Sequence, residues 1–374
     1  AGQGSPPGPP SSPRPMAAAA EITLRPRSAL TGEPLEAVRL APGSSVARLR
    51  DALASGGRGL ARPRVIFDGR ALEAGETLES AGLADGAEVD VLWSAGPVVL
   101  AGSEDGTVAL WSAEAGECLR TQALLPVACH SFALSADGRS ALLGCNDGAA
   151  SFCSVETGEV RRALRARGGT VLTVALALDG ELALTGFVSG SARLWHLGRG
   201  ACLRTFSRHA GGVTAAAISA DGGLVATGGG DELVRLWSAS SGKCLRTLEA
   251  RGGVVLGAAF SPDGRLVLAG CFDGVARLWD VEEGSLVLVL HGHEGAVMPV
   301  AFSADGQLLL TGSFDGSAKV WDASTGACVR TLAGHSDAVR AVAFADEPGL
   351  IVTGSADGTA KLWDLDTGDC TATM

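Results

Sequence analysis

The chain has 374 residues, 46% of them hydrophobic and 19% charged, which describes a globular protein with a large core and excludes a disordered one. Its net charge is −11 and its pI is near 5.1, with 20 basic and 30 acidic side chains in residues 94–374 alone, so nucleic acid and anionic membranes are excluded as main partners. No apolar run approaches the roughly 18 residues that a membrane span needs, and no charged segment followed by an apolar stretch opens the chain, so an intracellular place, cytoplasmic or nuclear, is expected.

Residues 1–19 are almost entirely Pro, Gly, Ser and Ala. They hold nothing to bury, and a disordered tail is expected. Residues 20–93 are different. Glu21-Ile-Thr-Leu-Arg25 and Leu35-Glu-Ala-Val-Arg-Leu40 alternate as strands. Ser44 or Ser45 then caps a short helix with Val46, Leu49 and Leu53 on one face. Arg64-Val-Ile-Phe-Asp-Gly-Arg-Ala-Leu72 reads as a hairpin turning at Asp68-Gly69, and Glu88-Val-Asp-Val-Leu-Trp93 as a last strand.

From residue 94 a step of 42 takes over. Asp105, Asp147, Asp231, Asp273, Asp315 and Asp357 stand on one ladder, with Ser189 on the rung that lacks an acid. Six residues after each rung come Trp111, Cys153, Trp195, Trp237, Trp279, Trp321 and Trp363. The units lie near 94–125, 126–167, 168–209, 210–251, 252–293, 294–335 and 336–374. Each full unit has four alternating runs between Gly/Asp turns, hence four strands and one sheet per repeat. Such a sheet cannot bury both faces alone, whereas sheets stacked radially can, so seven units predict a β-propeller. The first unit leaves one ambiguity. Its only candidate first strand is 89–93, which the preceding domain also claims, and a short shared junction is expected.

The order of elements in 20–93, with V-I-F-D-G-R-A-L-E, then T-L, then G-L-x-D-G, resembles the ubiquitin-like β-grasp family. The run L-W-S-A-G-P continues into the repeats without a terminal Gly-Gly, so the resemblance implies a docking module that is not conjugated. By position Leu30, Ile66 and Leu92 match that family's exposed apolar patch, the other reading being core.

The repeats resemble the WD-repeat family through Trp279-Asp280, Trp321-Asp322 and Trp363-Asp364, and through Gly292-His293 and Gly334-His335. The resemblance implies hydrogen-bonded tetrads of His, Ser/Thr, Asp and Trp. Three units hold all four: His209, Thr227, Asp231, Trp237; His293, Thr311, Asp315, Trp321; and His335, Thr353, Asp357, Trp363. A buried Asp needs donors around it, and imidazole, hydroxyl and indole can all donate. On paper these sets also resemble a catalytic triad. Their repetition and the Trp in each favour a structural network, and no catalytic residue is assigned. Elsewhere Arg167 and Arg251 replace His, Ala101, Leu143 and Ala269 replace the hydroxyl, and Cys153 replaces Trp. Units 1 to 3 are therefore expected to be the softer part.

The family's binding face is lined by the residue before the turn Asp and by residues after the His. Carried over, those positions include Leu256, Phe272, Met298, Phe314 and Arg340, an apolar arc with one Arg. The other reading folds these side chains back over the central channel. Cys129, His130, Cys145 and Cys153 invite a zinc site, but Cys129 and His130 are neighbours on a strand and face opposite ways, so core thiols are expected and no metal or cofactor. Cys118, Cys202, Cys244, Cys328 and Cys370 sit at one point of different repeats and are held apart. No G-x-x-x-x-G-K-[ST] phosphate loop occurs.

The expected function is a non-enzymatic monomeric scaffold: the propeller face holds proteins or peptides, and the N-terminal domain docks on a ubiquitin-pathway receptor. The alternative is a substrate-recognition subunit of a ubiquitin ligase. Against its W-D-x-R signature, Glu282, Ser324 and Asp366 stand where Arg is needed. An enzyme using the channel has no catalytic constellation to support it.

Overall fold

The computed structural model describes residues 22–28, 35–54, 62–67, 70–72, 75–85, 87–94, 98–102, 107–112, 118–123, 128–135, 138–155, 157–345 and 349–374. The expected tail at 1–19 lies outside them. The chain divides into two compact units, residues 1–96 and 97–374.

The first unit holds β1 (Ile22–Ser28), β2 (Val38–Leu40), α1 (Val46–Ala54), β3 (Arg62–Phe67), β4 (Arg70–Ala71) and β5 (Glu88–Ser94). The strands form one sheet in the order β2-β1-β5-β3-β4. β1 and β5 run parallel, which requires the long crossover that α1 belongs to. The helix starts at Ser45, whose Oγ accepts the Arg48 backbone N–H at 3.4 Å. Val46, Leu49 and Leu53 turn inward and are buried with Leu24, Val65, Leu72, Leu78 and Val89. Residues 89–93 thus lie in β5, paired with β1 and β3. Ile66 and Leu92 are in β3 and β5, but their side chains, and the whole of Leu30, lie outside the described residues.

The second unit is all sheet. β6 (Val98–Gly102), β7 (Thr107–Ser112) and β8 (Cys118–Ala123) make a three-stranded sheet. Six four-stranded antiparallel sheets follow over residues 129–165, 171–207, 213–249, 255–290, 297–333 and 339–373. Each is a meander of consecutive strands, and the last supplies its own outer strand, Cys370–Thr373. The innermost strands pack in succession, each against the next. Among the described residues no helix is long and apolar enough to cross a membrane.

Local chemistry sets where strands end. Between first and second strands, Ser261 donates its hydroxyl to Asp263 at 2.6 Å and accepts the Leu266 N–H at 2.9 Å. Ser219 and Ser303 repeat this with Asp221 and Asp305. Ser and Asp thereby satisfy turn donors that the ladder cannot reach, and Gly264 (φ 71°) takes the left-handed position. Pairing of third and fourth strands slips just before Trp237, Trp279, Trp321 and Trp363. Such a bulge adds twist and re-aims the side chain.

The tryptophans build the layers between sheets. Trp279 is buried against Val234, Leu236 and Leu248 of the preceding sheet and Val255 and Val267 of its own. Trp321 and Trp363 do the same one and two repeats later. A second seam runs along the outer strands. Arg162 donates to the Gly198 carbonyl (3.0 Å), Arg204 to Ser240 (3.0 Å), Arg246 to Glu282 (3.2 Å) and Arg330 to Asp366 (3.2 Å). Each guanidinium reaches a backbone oxygen 36 residues on, in the next sheet. At the equivalent place Leu288 stands instead and packs into the Trp321 layer.

Candidate partner-binding face and its supporting network

The three complete sets of His, Thr, Asp and Trp are brought together. Trp321 Nε1–H donates to Thr311 Oγ1 at 2.9 Å, Thr311 meets His293 Nε2 at 2.8 Å, and His293 Nδ1 meets Asp315 at 2.9 Å. The set at His335 has 2.8, 2.7 and 2.9 Å, and that at His209 has 2.9, 2.8 and 2.7 Å. The indole can only donate, so the hydroxyl accepts from it and gives its own proton to Nε2. That leaves a neutral imidazole protonated at Nδ1, which donates to the Asp carboxylate. Here the structure corrects the expectation that the indole serves the Asp. The chain runs Trp to Thr to His to Asp, and the carboxylate is completed by a backbone N–H: Ala210, Glu294 or Ser336.

Burial grades along this chain. Thr227, Thr311 and Thr353 are fully buried, while the three carboxylates are 10%, 15% and 9% exposed. Burial holds His209 and His293 below their ordinary value, ahead of the opposing pull of Asp231 and Asp315. Burial alone would raise Asp315. Hydrogen bonds from Ser317, the Glu294 N–H and His293 outweigh it and hold the carboxyl at about 2. Asp231 is lowered in the same way by His209 and Arg235, and Asp357 by Thr359, Ser336 and His335.

The incomplete units solve the problem differently. Just before unit 5 Arg251, with φ 50°, turns outward to Glu249 and leaves that unit's acid to another residue. Arg277, four residues after Asp273, binds that carboxylate with two nitrogens at 2.6 and 3.2 Å. Gly252 makes the room, since a Cβ there would collide with both Asp273 and Arg277. Arg235 reaches Asp231 from the matching position at 2.8 Å. These arginines were not singled out from sequence, although Arg193, Arg235, Arg277, Lys319 and Lys361 keep the 42-residue step. In unit 3 Trp195 donates to Thr185 (2.9 Å), and Ser189 bonds Ser191. In unit 2 Leu143 and Cys153 are core.

One repeated backbone bond shapes the turn that precedes each rung. The N–H of Asn146, Val188, Gly230, Phe272, Phe314 and Ala356 donates to the carbonyls of Ala128, Thr170, Gly212, Val254, Ala296 and Ala338, at 3.0 Å or within a tenth of it. The main-chain N–H is satisfied within the turn, and the side chain projects from it. Phe272 is 61% exposed, Val188 52% and Phe314 42%. Arg340, also exposed, lies over the Phe314 ring at 4.9 Å, within cation–π range. Leu256 and Met298 are half-buried, on inner strands that pack together. Their backbones close on each other at Gly257, where any Cβ would meet the Met298 carbonyl. Val188, two rungs before Phe272, is a further exposed apolar side chain at the same ladder position.

Among the described residues no group of three or more His, Cys, Asp or Glu side chains is placed to hold a metal ion. His130 is exposed and bonds Asn146, while Cys129, Cys145 and Cys153 are buried.

Residues 200–238, 242–280, 284–322 and 326–364 each match the WD domain, G-beta repeat. The chain carries four WD40 repeats. Each matched segment begins with or just before the outer strand of one sheet and ends in the third strand of the next, so a WD40 repeat spans a seam and includes the tryptophan that fills it. WD40 repeats serve as protein-interaction scaffolds, and scaffolding is the role they indicate here. No curated protein matches the chain.

Proposed function

We propose that the protein is a non-enzymatic scaffold whose repeat domain is a seven-bladed propeller and whose binding face is the arc Leu256, Phe272, Met298, Phe314 and Arg340. The observation that carries this reading is the pair Phe272 and Phe314: large aromatic side chains, 61% and 42% exposed, on turns whose backbone N–H is already bonded. Exposing them loses the free energy of burial with no gain to the fold, about 1.5–3 kcal/mol for a fully buried Phe. A partner that covers them recovers it, and an Arg stacked on the ring is the composition of an interface hot spot. Seven sheets at one sequence step support seven blades.

The reading of residues 20–93 as a ubiquitin-like β-grasp module rests on the strand order β2-β1-β5-β3-β4, the parallel central pair and the helix between them. Its proposed partner is a ubiquitin-pathway receptor. The test is Phe272→Asp combined with Phe314→Asp in the full chain, with the circular dichroism spectrum as control for folding. Among the proteins recovered by proximity labelling of the wild type, those held by the arc should be lost from the double variant and kept when residues 1–93 are deleted, and those held by the N-terminal unit should behave the other way round. An unchanged set in the double variant would refute the arc.

A further inference from the structure

We propose that Cys129 and Cys145 are a peroxide-sensitive pair that closes to a reversible disulfide. Their Sγ atoms are 3.2 Å apart in the first two strands of unit 2, Cys129–Leu134 and Ser140–Cys145. Both residues carry thiols and are buried, at 0% and 1% exposure. Their Cα atoms are paired across the antiparallel strands beside a bulge, where the register shifts between Gly144 and Cys145. Cα atoms paired in a regular ladder lie about 4.5–5.5 Å apart, inside the window that a disulfide needs, and the Sγ separation of 3.2 Å shows that the bulge keeps the two sulfurs in contact. Closing from contact to an S–S bond of about 2.05 Å takes roughly 1 Å of sulfur movement.

The same cross-strand position exists in every following unit with other residues. It is Val171 with Phe187, Val213 with Gly229, Val255 with Cys271, Val297 with Ser313 and Val339 with Ser355. Packing there asks for Val and a small or apolar partner, so neither position needs sulfur, yet unit 2 has it at both. It is also the unit where Leu143 and Cys153 replace the hydroxyl and the indole. A covalent cross-link would tie together the two strands that lack the polar network. The pair is buried but shallow: Ala128, His130, Asn146 and Asp147 beside it are exposed, so a small oxidant has a short path.

The chemistry balances with a peroxide as oxidant. The Cys129 thiolate attacks one peroxide oxygen; the O–O bond breaks, a sulfenic acid forms, and the departing hydroxide takes a proton to leave as water. Cys145 then attacks the sulfenic sulfur; the S–S bond forms, the S–O bond breaks, and a second water leaves. Two electrons pass from the sulfurs to the peroxide. The hydrogen bond from Cys145 lowers the Cys129 thiol below its ordinary value, against burial, and raises Cys145, which suits Cys129 as the attacking sulfur. Thiol reductants reverse the bond by exchange.

The experiment treats the reduced full chain with graded hydrogen peroxide, alkylates it under denaturing conditions and maps peptides by mass spectrometry. The expected result is a 129–145 cross-link two hydrogens lighter than the reduced pair. It should appear at lower peroxide than oxidation of exposed Cys202 and Cys328, be removed by dithiothreitol, and raise Tm. Cys129→Val, the residue that five other units carry, should fold and show no such rise. The proposal is overturned if Cys129 and Cys145 are still alkylated once Cys202 and Cys328 are oxidised, if either links to Cys153 instead, or if Cys129→Val keeps the oxidation-dependent rise.

Discussion

Replacing Thr311 by Val removes one hydroxyl and orphans two buried groups. Thr311 is fully buried, accepts from the Trp321 indole at 2.9 Å and bonds His293 Nε2 at 2.8 Å. Valine matches its shape, so no cavity forms, and the cost comes from the partners left unpaired. Each such group costs about 1–3 kcal/mol, giving roughly 2–6 kcal/mol for Thr311→Val. Unit 3 supplies the control. Thr185 is equally buried and accepts from Trp195 at 2.9 Å, but Arg167 replaces the His there, so Thr185→Val orphans one group and should cost about half as much. Chemical denaturation followed by tryptophan fluorescence reads the total. Hydrogen exchange of the two indole N–H groups reads it locally, which matters because a repeat array need not unfold in one step. Equal costs for the two variants, or a larger one for Thr185→Val, would refute the claim that the His takes part of its stability from this hydroxyl.

Gly252→Ala should break the Asp273–Arg277 pair by steric collision and destabilise unit 5 by about 3 kcal/mol, since one partner of a partly buried charge pair is displaced; a denaturation midpoint within error of wild type would contradict this. Arg246→Ala should cost about 1 kcal/mol or less, because its bond to the Glu282 carbonyl is exposed, and a double variant with Arg204→Ala should be additive when measured the same way. Acid should weaken the protein in two stages. His209 and His293 lie below the ordinary 6.5 when folded, so the unfolded chain binds protons first and stability falls as pH drops below about 6.5. Asp231, Asp315 and Asp357 are depressed from 3.8, with Asp315 at about 2, so a second loss runs from about pH 4 to about pH 2. Urea midpoints at pH 8, 5 and 3 check both, and equal midpoints at 8 and 5 would show that the imidazoles are not held neutral. Amide exchange should be slower in residues 294–374 than in 126–167 or 168–209; the reverse order would show that the complete networks do not govern local stability.

The repeated four-stranded sheets were legible because Asp-Gly turns and tryptophans mark strand ends, and a fixed step makes each unit a check on the others. The network was legible only as a set of residues. Nothing in the spacing of Trp237 and Asp231 says that the indole bonds Thr227, because that depends on how far strand twist carries the ring. The substitution of Arg251 for His read as a loss. Its real consequence is an outward-turned side chain and a carboxylate taken over by Arg277, which only the fold brings within reach. The arginine seam is invisible to side-chain reasoning, since its acceptors are backbone carbonyls that carry no signature. The exposed Phe272 and Phe314 were found through resemblance, and the repeated backbone bond now gives them a physical reason.

The contiguity of the sheets has an evolutionary consequence. Every four-stranded sheet is drawn from one uninterrupted stretch of chain and completes its own hydrogen-bond ladder, while neighbours meet through side-chain layers. Gain or loss of a 42-residue block therefore adds or removes a whole sheet without cutting any ladder. It also lets copies diverge singly. Unit 2 holds Cys153 and Leu143 where units 6 and 7 hold the indole and the hydroxyl, and its four-stranded sheet is still complete. A chain built this way can lose chemistry in one copy and keep its architecture, which leaves individual copies open to acquiring new chemistry of their own.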